Sequence, residues 1–416
     1  MLLTFKIKLN TTIDQSNLLE QVSNSCRLLY NNLLEQKIKY YEEHKKHLSY
    51  YTQQKELKNI KDDFMMFDSK KEVLRGLESN YKSFFALIKK NKTQNPGTPK
   101  FRGKHYFFTL SYIQDFIIKD KHIEISLPNK NKLKLKLKYD FPINGLKSKR
   151  NKSNNDIKQL KIYKKNNNYY ASITYEKPVE TSTNHSKDVI SIDLGKMNLV
   201  AYYNPKENNG VIYNSNFLSK NQKFLDKRVD ELKSIRDKKT KGSRKWNQIN
   251  TKIKNVNQKK RTQTNLTLQR LSKDLSKLNT DIVIGELTNL KQHIKSDFNH
   301  KKNRQMQNNW NLTTFVRLLE YKTQLKGNQV IKVNEAWTSK TCCKCGSINY
   351  DQTTQDRTYI CECGNTLNRD LNGAINIYKV YLGDYNTPID VDNLSSSKRF
   401  SWCNIKKMNE KIEINY

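Results

Sequence analysis

Two close cysteine pairs, Cys342-x-x-Cys345 and Cys361-x-Cys363, constrain this chain more than any other feature. Paired thiolates on tight turns are what a tetrahedral zinc ion needs, because the ion itself has no directional preference to impose. Gly346 and Gly364 each follow the second cysteine of a pair, where a knuckle needs an unhindered backbone. The second pair is one residue shorter than usual, and Cys343, inside the first pair, faces the wrong way for a knuckle. The expectation is a structural Zn2+ held by Cys342, Cys345, Cys361 and Cys363 with no open position, so that it supports the fold and does no chemistry. A redox dithiol is the alternative. The first residues, MLLTFKIKLN, lack the apolar core and small-residue cleavage site of an export signal. A cytoplasmic or nucleoid location is therefore expected, where such a cluster reads as metal site rather than disulfides. Cys26 falls on the apolar face of an expected helix and reads as core.

Charge narrows the partner. Lys and Arg total 77 against 40 acids, a net of +37. A surface that repels itself so strongly implies a polyanion, and nucleic acid is the first choice. No membrane partner is expected, since no stretch approaches the ~18 apolar residues of a span. An AT-rich genome would explain Lys in place of Arg, but not the shortage of acids.

Periodicity changes along the chain. Residues 2–10 alternate as a half-buried strand does, and Ile13 to Tyr41 turns helical, with Leu18, Leu19, Val22, Cys26, Leu29 and Leu33 at three- and four-residue steps. A second helix is expected from Asp62 to Lys90. Its aromatics Tyr81, Phe84 and Phe85 read as core. From Tyr106 to Tyr175 the period is two, in HIEISL, KLKLKLKY, IKQLKIYK and YYASITYE, which predicts a β-domain interrupted by the helices. From Lys187 the pattern is β-β-β-α-β-α-β, a mixed α/β sheet. Gln222 to Asn279 reads as a basic antiparallel helix hairpin with Phe224, Leu232, Ile235, Trp246 and Ile253 on its apolar stripe. DIVIGEL and QVIKVNEAW read as strands, and residues 383–416 show no period.

Acids are scarce, so their placement is informative. Asp193 ends the apolar strand VISID, and Asp370 begins a helix just after the cysteines. Two metal ions ~4 Å apart, which support phosphodiester cleavage, need carboxylates gathered from separate segments. The bland readings are a strand-end turn for Asp193 and a helix N-cap for Asp370. The seven His residues do not cluster, so a His-based nuclease is not indicated.

These segments carry a resemblance. SIDLG, DIVIGEL, TSKTCCKCG and CECGNTLNRDLNGAINI resemble the RuvC-type motifs and zinc ribbon of the TnpB family, transposon-encoded RNA-guided nucleases related to miniature type V CRISPR effectors and to Fanzor proteins. VLRGLESNYKSFFALIKKN with PKFRGK, and NNWNLTTFVRLLEYKTQLKG, also match. The resemblance implies an α/β plus β fold class. A β-barrel wedge domain (1–10 and 96–185) would carry a helical recognition insertion (11–95). A RuvC/RNase H-like nuclease domain (186–340 and 366–382) would hold an inserted zinc ribbon (341–365) and precede a tail (383–416). It implies one chain per guide RNA, pairing of guide with target double-stranded DNA, a displaced single strand, two catalytic Mg2+ ions, and cutting beside a short duplex motif. Candidate readers of that motif are Tyr50, Tyr51, Gln53 and Gln54. The family usually has a catalytic Glu where this chain has Gly285. Glu286 is next to it, but a strand reverses face at each residue. A subset of the family has an alternative Glu before the ribbon, which Glu335 matches. The expected carboxylates are Asp193, Glu335 and Asp370, with Glu286 in reserve. Rival readings are a guided binder that does not cut, a recombinase, and a zinc-ribbon scaffold.

Overall fold

The structure is a computed structural model. It describes residues 1–89, 97–119, 121–139, 157–179, 188–195, 198–214, 216–286, 312–353, 356–384, 387, 389–391 and 394–400. The chain divides into two compact units near Pro178.

In the first unit, β1 (Leu2–Asn10) leads into the long helix α1 (Ile13–His44). A capping box fixes the junction: Gln15 N donates to Thr12 Oγ1 at 3.2 Å, and Thr12 N donates to Gln15 Oε1 at 3.0 Å. A short α2 (Tyr50–Glu56) precedes α3 (Phe67–Lys89). The sequence gives no signal for α2, which is too short for a helical period to show. α3 starts later than the pattern predicts, because Asp62 Oδ1 accepts from both Phe64 N and Met65 N at 2.8 Å and holds a turn there. Six further strands follow: β2 (Leu110–Tyr112), β3 (Phe116–Lys119), β4 (His122–Ser126), β5 (Lys132–Leu137), β6 (Ile157–Lys165) and β7 (Asn168–Glu176). All pair antiparallel, in the order β2-β6-β7-β1-β5-β4-β3. The first strand thus sits mid-sheet, paired along its length with β7, as expected for a β-domain interrupted by helices. Its inward residues Phe5, Ile7 and Leu9 share one core with Leu19, Val22, Cys26, Leu29 and Leu33 of α1. Two expectations fail here. Gln53 is fully buried and spends its amide on Leu33 O and Gln36 Oε1, both at 2.9 Å, so it is not free to read DNA. Phe85 is exposed and stacks edge-on against His47 at 4.6 Å, because α3 runs past the sheet it packs on.

The second unit is built on a six-stranded mixed sheet. β8 (Val189–Asp193), β9 (Asn198–Asn204) and β10 (Asn209–Asn214) form an antiparallel meander. β11 (Asp281–Gly285) lies parallel to β8, and β12 (Val330–Val333) parallel to β11. β13 (Ser395–Phe400) adds a parallel edge strand beside β10, which corrects the structureless reading of the tail at those residues, while 401–416 lie outside the described residues. Alternation along β8 and β11 assigns the faces. Ile190, Ile192, Ile282 and Ile284 point to Leu268, Leu271 and Leu275 of α5 (Arg244–Ser276) and to Phe315, Val316 and Leu319 of α6 (Leu312–Leu325). Each such fully buried leucine contributes roughly 1.5–3 kcal/mol. Val189 and Val283 point the other way, to Ile377 of α7 (Arg369–Leu382).

The expected helix hairpin is present, α4 (Asn216–Asp237) against α5. Val229, Leu232 and Ile253 form its small core, and the Arg236 guanidinium lies 5.5 Å from the Trp246 ring centre. Phe224 and Ile235, assigned to the stripe from sequence, are exposed instead, since two helices leave no third partner to cover them. No helix among the described residues is long and apolar enough to cross a membrane.

Candidate active site

The same alternation decides which carboxylates meet. Val189, Ser191 and Asp193 share the α7 face of β8, and Ser191 Oγ donates to Ala374 O of α7 at 2.6 Å. Val283 and Gly285 lie on that face of β11, and Val333, paired with Gly285, lies on it in β12. Glu335, two residues past the end of β12, inherits the same side. Glu286 has the opposite parity and is exposed, its backbone N–H tied to Val333 O at 2.7 Å. The structure therefore gathers Asp193, Asp370 and Glu335 and leaves Glu286 apart.

Close approach of helix to sheet brings the last carboxylate in. Gly373, one turn after Asp370, lies so near β8 that a Cβ there would stand 2.9 Å from Asp193 Oδ2. Asp370 is not the helix cap that its position suggested. The cap is Asn368, whose Oδ1 accepts from Asp370 N at 3.0 Å and Leu371 N at 3.4 Å, leaving the Asp370 carboxylate free to face the sheet. The buried Asn198 at the start of β9 donates its amide to Asp370 Oδ2 at 2.7 Å. Sequence reading passed over Asn198, because an Asn near a strand start looks like a turn residue. Asn198→Ala is expected to weaken divalent-metal binding at this cluster by ~10–100-fold, read from a metal-binding titration.

Gly285 acquires a physical reason. A Cβ on it would meet Glu335 Oε2 at 2.1 Å and Glu335 Cβ at 2.8 Å, so no side chain fits at 285 while Glu335 turns inward. The third carboxylate enters from the neighbouring strand and fills the space in front of β11.

Electrostatics show the strain of three clustered acids. Burial, and then the charges of Asp370 and Glu335, push the Asp193 carboxyl up to about 8. Burial also raises Glu335. Such a carboxyl keeps its proton near neutrality unless a cation neutralises the cluster. An all-oxygen donor set from three segments suits a hard divalent ion such as Mg2+.

Beyond β12, the four thiols Cys342, Cys345, Cys361 and Cys363 lie with all sulfurs within 4.8 Å of one another. The Cys342–Cys363 and Cys345–Cys361 separations of 3.7 and 3.6 Å match the about 3.8 Å edge of a tetrahedron with ~2.3 Å zinc–sulfur bonds. Gly346 and Gly364 have φ of 78° and 81°, the left-handed backbone their knuckles require. Cys343 is buried against Leu371, Ala374 and Ile375 and takes no part in the cluster. Two fully buried amides join this region to the helix that carries Asp370. Asn372 accepts from Cys343 N at 3.0 Å and donates to Thr341 O at 2.8 Å, and Asn376 donates to Thr338 O and Thr341 O at 2.8 and 2.7 Å. A single sequence does not show that these two asparagines clamp the metal knuckle to the acidic site.

Residues 313–377 match the Cas12f1-like TNB domain model, residues 172–292 the OrfB_IS605 probable transposase model, and residues 1–46 the OrfB_IS605 helix-turn-helix domain model. In this chain residues 1–46 form β1 and the single helix α1. The putative RNA-guided DNA endonuclease InsQ of Escherichia coli K12 is 23% identical over 392 residues, 90% of each chain. The CRISPR-associated endodeoxyribonuclease Cas12f2 of a Micrarchaeota archaeon is 25% identical over 234 residues, 52% of this chain and 41% of that one. The fold is similar to that of Cas12f1 in its sgRNA–target DNA complex, with a TM-score of 0.61 at 15% identity over 88% of this chain and 83% of that one. The chain is thus similar along most of its length to an RNA-guided endonuclease of the InsQ kind, and in separate segments to the OrfB_IS605 and Cas12f1-like family models.

Proposed function

We propose that this chain is an RNA-guided DNA endonuclease of a transposable element, with Asp193, Asp370 and Glu335 as its metal-holding carboxylates. The observation that carries the reading is the convergence of these three side chains, from β8, α7 and the loop after β12, on one face of the sheet. Magnesium held there would supply an activated water and stabilise the leaving oxygen of a phosphodiester. The chain's own part is to hold the three carboxylates in register, with Asn198 orienting Asp370 and the close Gly373 contact fixing Asp193 against α7. Gly285 does not argue for a silent centre, since the space its side chain would take is filled by Glu335.

The net charge of +37 fits a guide RNA held by its phosphates and A-form shape, with sequence choice passed to Watson–Crick pairing between guide and target. In this reading the seven-stranded sheet of the first unit is the wedge, α1–α3 the recognition helices, and the second unit the RuvC-like nuclease with its zinc ribbon. One chain acts per guide, and the displaced single strand reaches the carboxylates. The test is to purify the protein, sequence the RNA bound to it, and reprogram that RNA against a plasmid. Bound RNA of defined length and guide-directed cutting in magnesium are expected. Cutting that ignores the guide, or no bound RNA, contradicts the proposal.

A further inference from the structure

The segment that presents Glu335 also presents an unusual aromatic. Trp337, two residues on, has φ of 66°, a left-handed conformation that a bulky side chain adopts only when its surroundings force it. Its main chain is over-determined. Trp337 O accepts from Lys340 N at 2.8 Å, Thr341 N at 3.0 Å and Thr341 Oγ1 at 3.0 Å, while Glu335 O accepts from Thr338 N at 3.3 Å and Thr338 Oγ1 at 2.9 Å. Asn376 of α7 grips the same turn through Thr338 O and Thr341 O. The Glu335 carboxylate and the indole are thus displayed by one rigid piece, fastened to the helix that carries Asp370.

For all that constraint, the indole packs into nothing that buries it. Trp337 is 57% exposed, and its neighbour Tyr350, 69% exposed, meets it edge-on with ring centres 6.1 Å apart. Lys340 Nζ donates to the backbone O of Tyr350 at 3.0 Å and ties that residue's main chain to the same turn. A fixed, strained, solvent-facing tryptophan at most about 7 Å along the backbone from a metal-site carboxylate has the properties of a stacking platform. Its rigidity removes the ordering entropy that binding would otherwise cost.

We propose that Trp337, braced by Tyr350, stacks an unpaired base of the single strand whose phosphate is presented to Asp193, Asp370 and Glu335. A nucleobase is the occupant that the surroundings favour. The chain carries +37, the platform adjoins the carboxylate site, and every base offers a π-face, so stacking serves a nuclease whose sequence choice is made elsewhere. Arg369, next to Asp370, has a buried Nε with no hydrogen-bond partner and suits a phosphate of the same strand. This inference rests on the nuclease reading of the acidic site.

The test uses the full-length protein with its co-purified RNA, calcium in place of magnesium, and moderate salt to suppress contacts made by charge alone. Binding of a short labelled oligothymidylate is compared with that of the same strand carrying abasic positions. Trp337→Ala is expected to weaken the oligothymidylate about ten-fold while Trp337→Phe retains most of the affinity. The abasic strand is expected to bind wild type and Trp337→Ala alike, and zinc content and thermal midpoint to stay unchanged in both variants. In magnesium the single-strand KM rises in Trp337→Ala with little change in kcat. Wild-type affinity in Trp337→Ala, or equal losses for both strands, overturns the stacking role alone. A wild-type protein that binds neither strand overturns the nuclease reading along with it.

Discussion

Alanine at Asp193 or Asp370 is expected to slow magnesium-dependent DNA cutting by ~10³-fold or more, measured as the initial rate on a guide-matched plasmid. Glu335→Ala is expected to lose activity on the same scale, and Glu286→Ala to cut at nearly the wild-type rate. The reason is placement: three of these carboxylates lie on the α7 face of the sheet, and Glu286 lies on the other. Loss of folding does not account for such an effect. Asp193 sits where burial and two neighbouring acids disfavour its charged form, so its removal relieves the cost of holding a carboxyl there in its neutral form. The Asp193→Ala protein without metal should melt no lower than wild type at neutral pH. The Gly285 contact sharpens the assignment. Gly285→Ala alone should impair cutting, because its methyl group takes the place of the Glu335 carboxylate. Activity surviving Glu335→Ala but lost in Glu286→Ala would refute the assignment.

Serine at Cys342 or Cys363, or stripping zinc with a chelator, is expected to abolish zinc retention and to lower the thermal midpoint and the cutting rate together. Structural zinc in small domains contributes on the order of 10 kcal/mol to folding, and this cluster has all four sulfurs within 4.8 Å. The loss should reach the acidic site because Asn372 and Asn376 tie the turn at Thr338–Cys343 to α7. Cys343→Ser separates the two roles of cysteine here. Its thiol, pushed up to about 12 by burial, belongs to the apolar packing against α7. The variant should keep a full complement of zinc, measured by elemental analysis, with a smaller loss of stability.

Much of this site is legible in the residues themselves. An Asp ending an apolar strand, four cysteines at knuckle spacing and a Glu before them stand out because acids are scarce and the spacing of thiols has few uses. Strand parity turned Glu286 away, since the face of a residue is fixed by counting, while Glu335 came from the family resemblance. What was not legible depends on long-range contacts. The amides of Asn198, Asn372 and Asn376 look like turn residues until their partners are seen. Gln53 reads as a surface polar group, yet it is buried where α2 packs back against α1. β13 has no apolar period, and its place comes from pairing with β10. The exposure of Phe224, Ile235 and Phe85 follows from helices that extend beyond what they pack on, which periodicity does not report.

Anomalous scattering from crystals soaked in Mn2+ addresses the central claim most directly. Manganese density bounded by Asp193, Asp370 and Glu335, absent in Asp193→Ala, is the predicted result, with two peaks ~4 Å apart if both ions of a phosphodiesterase bind. Density centred on Glu286, or none near Asp193 at saturating metal, would contradict it.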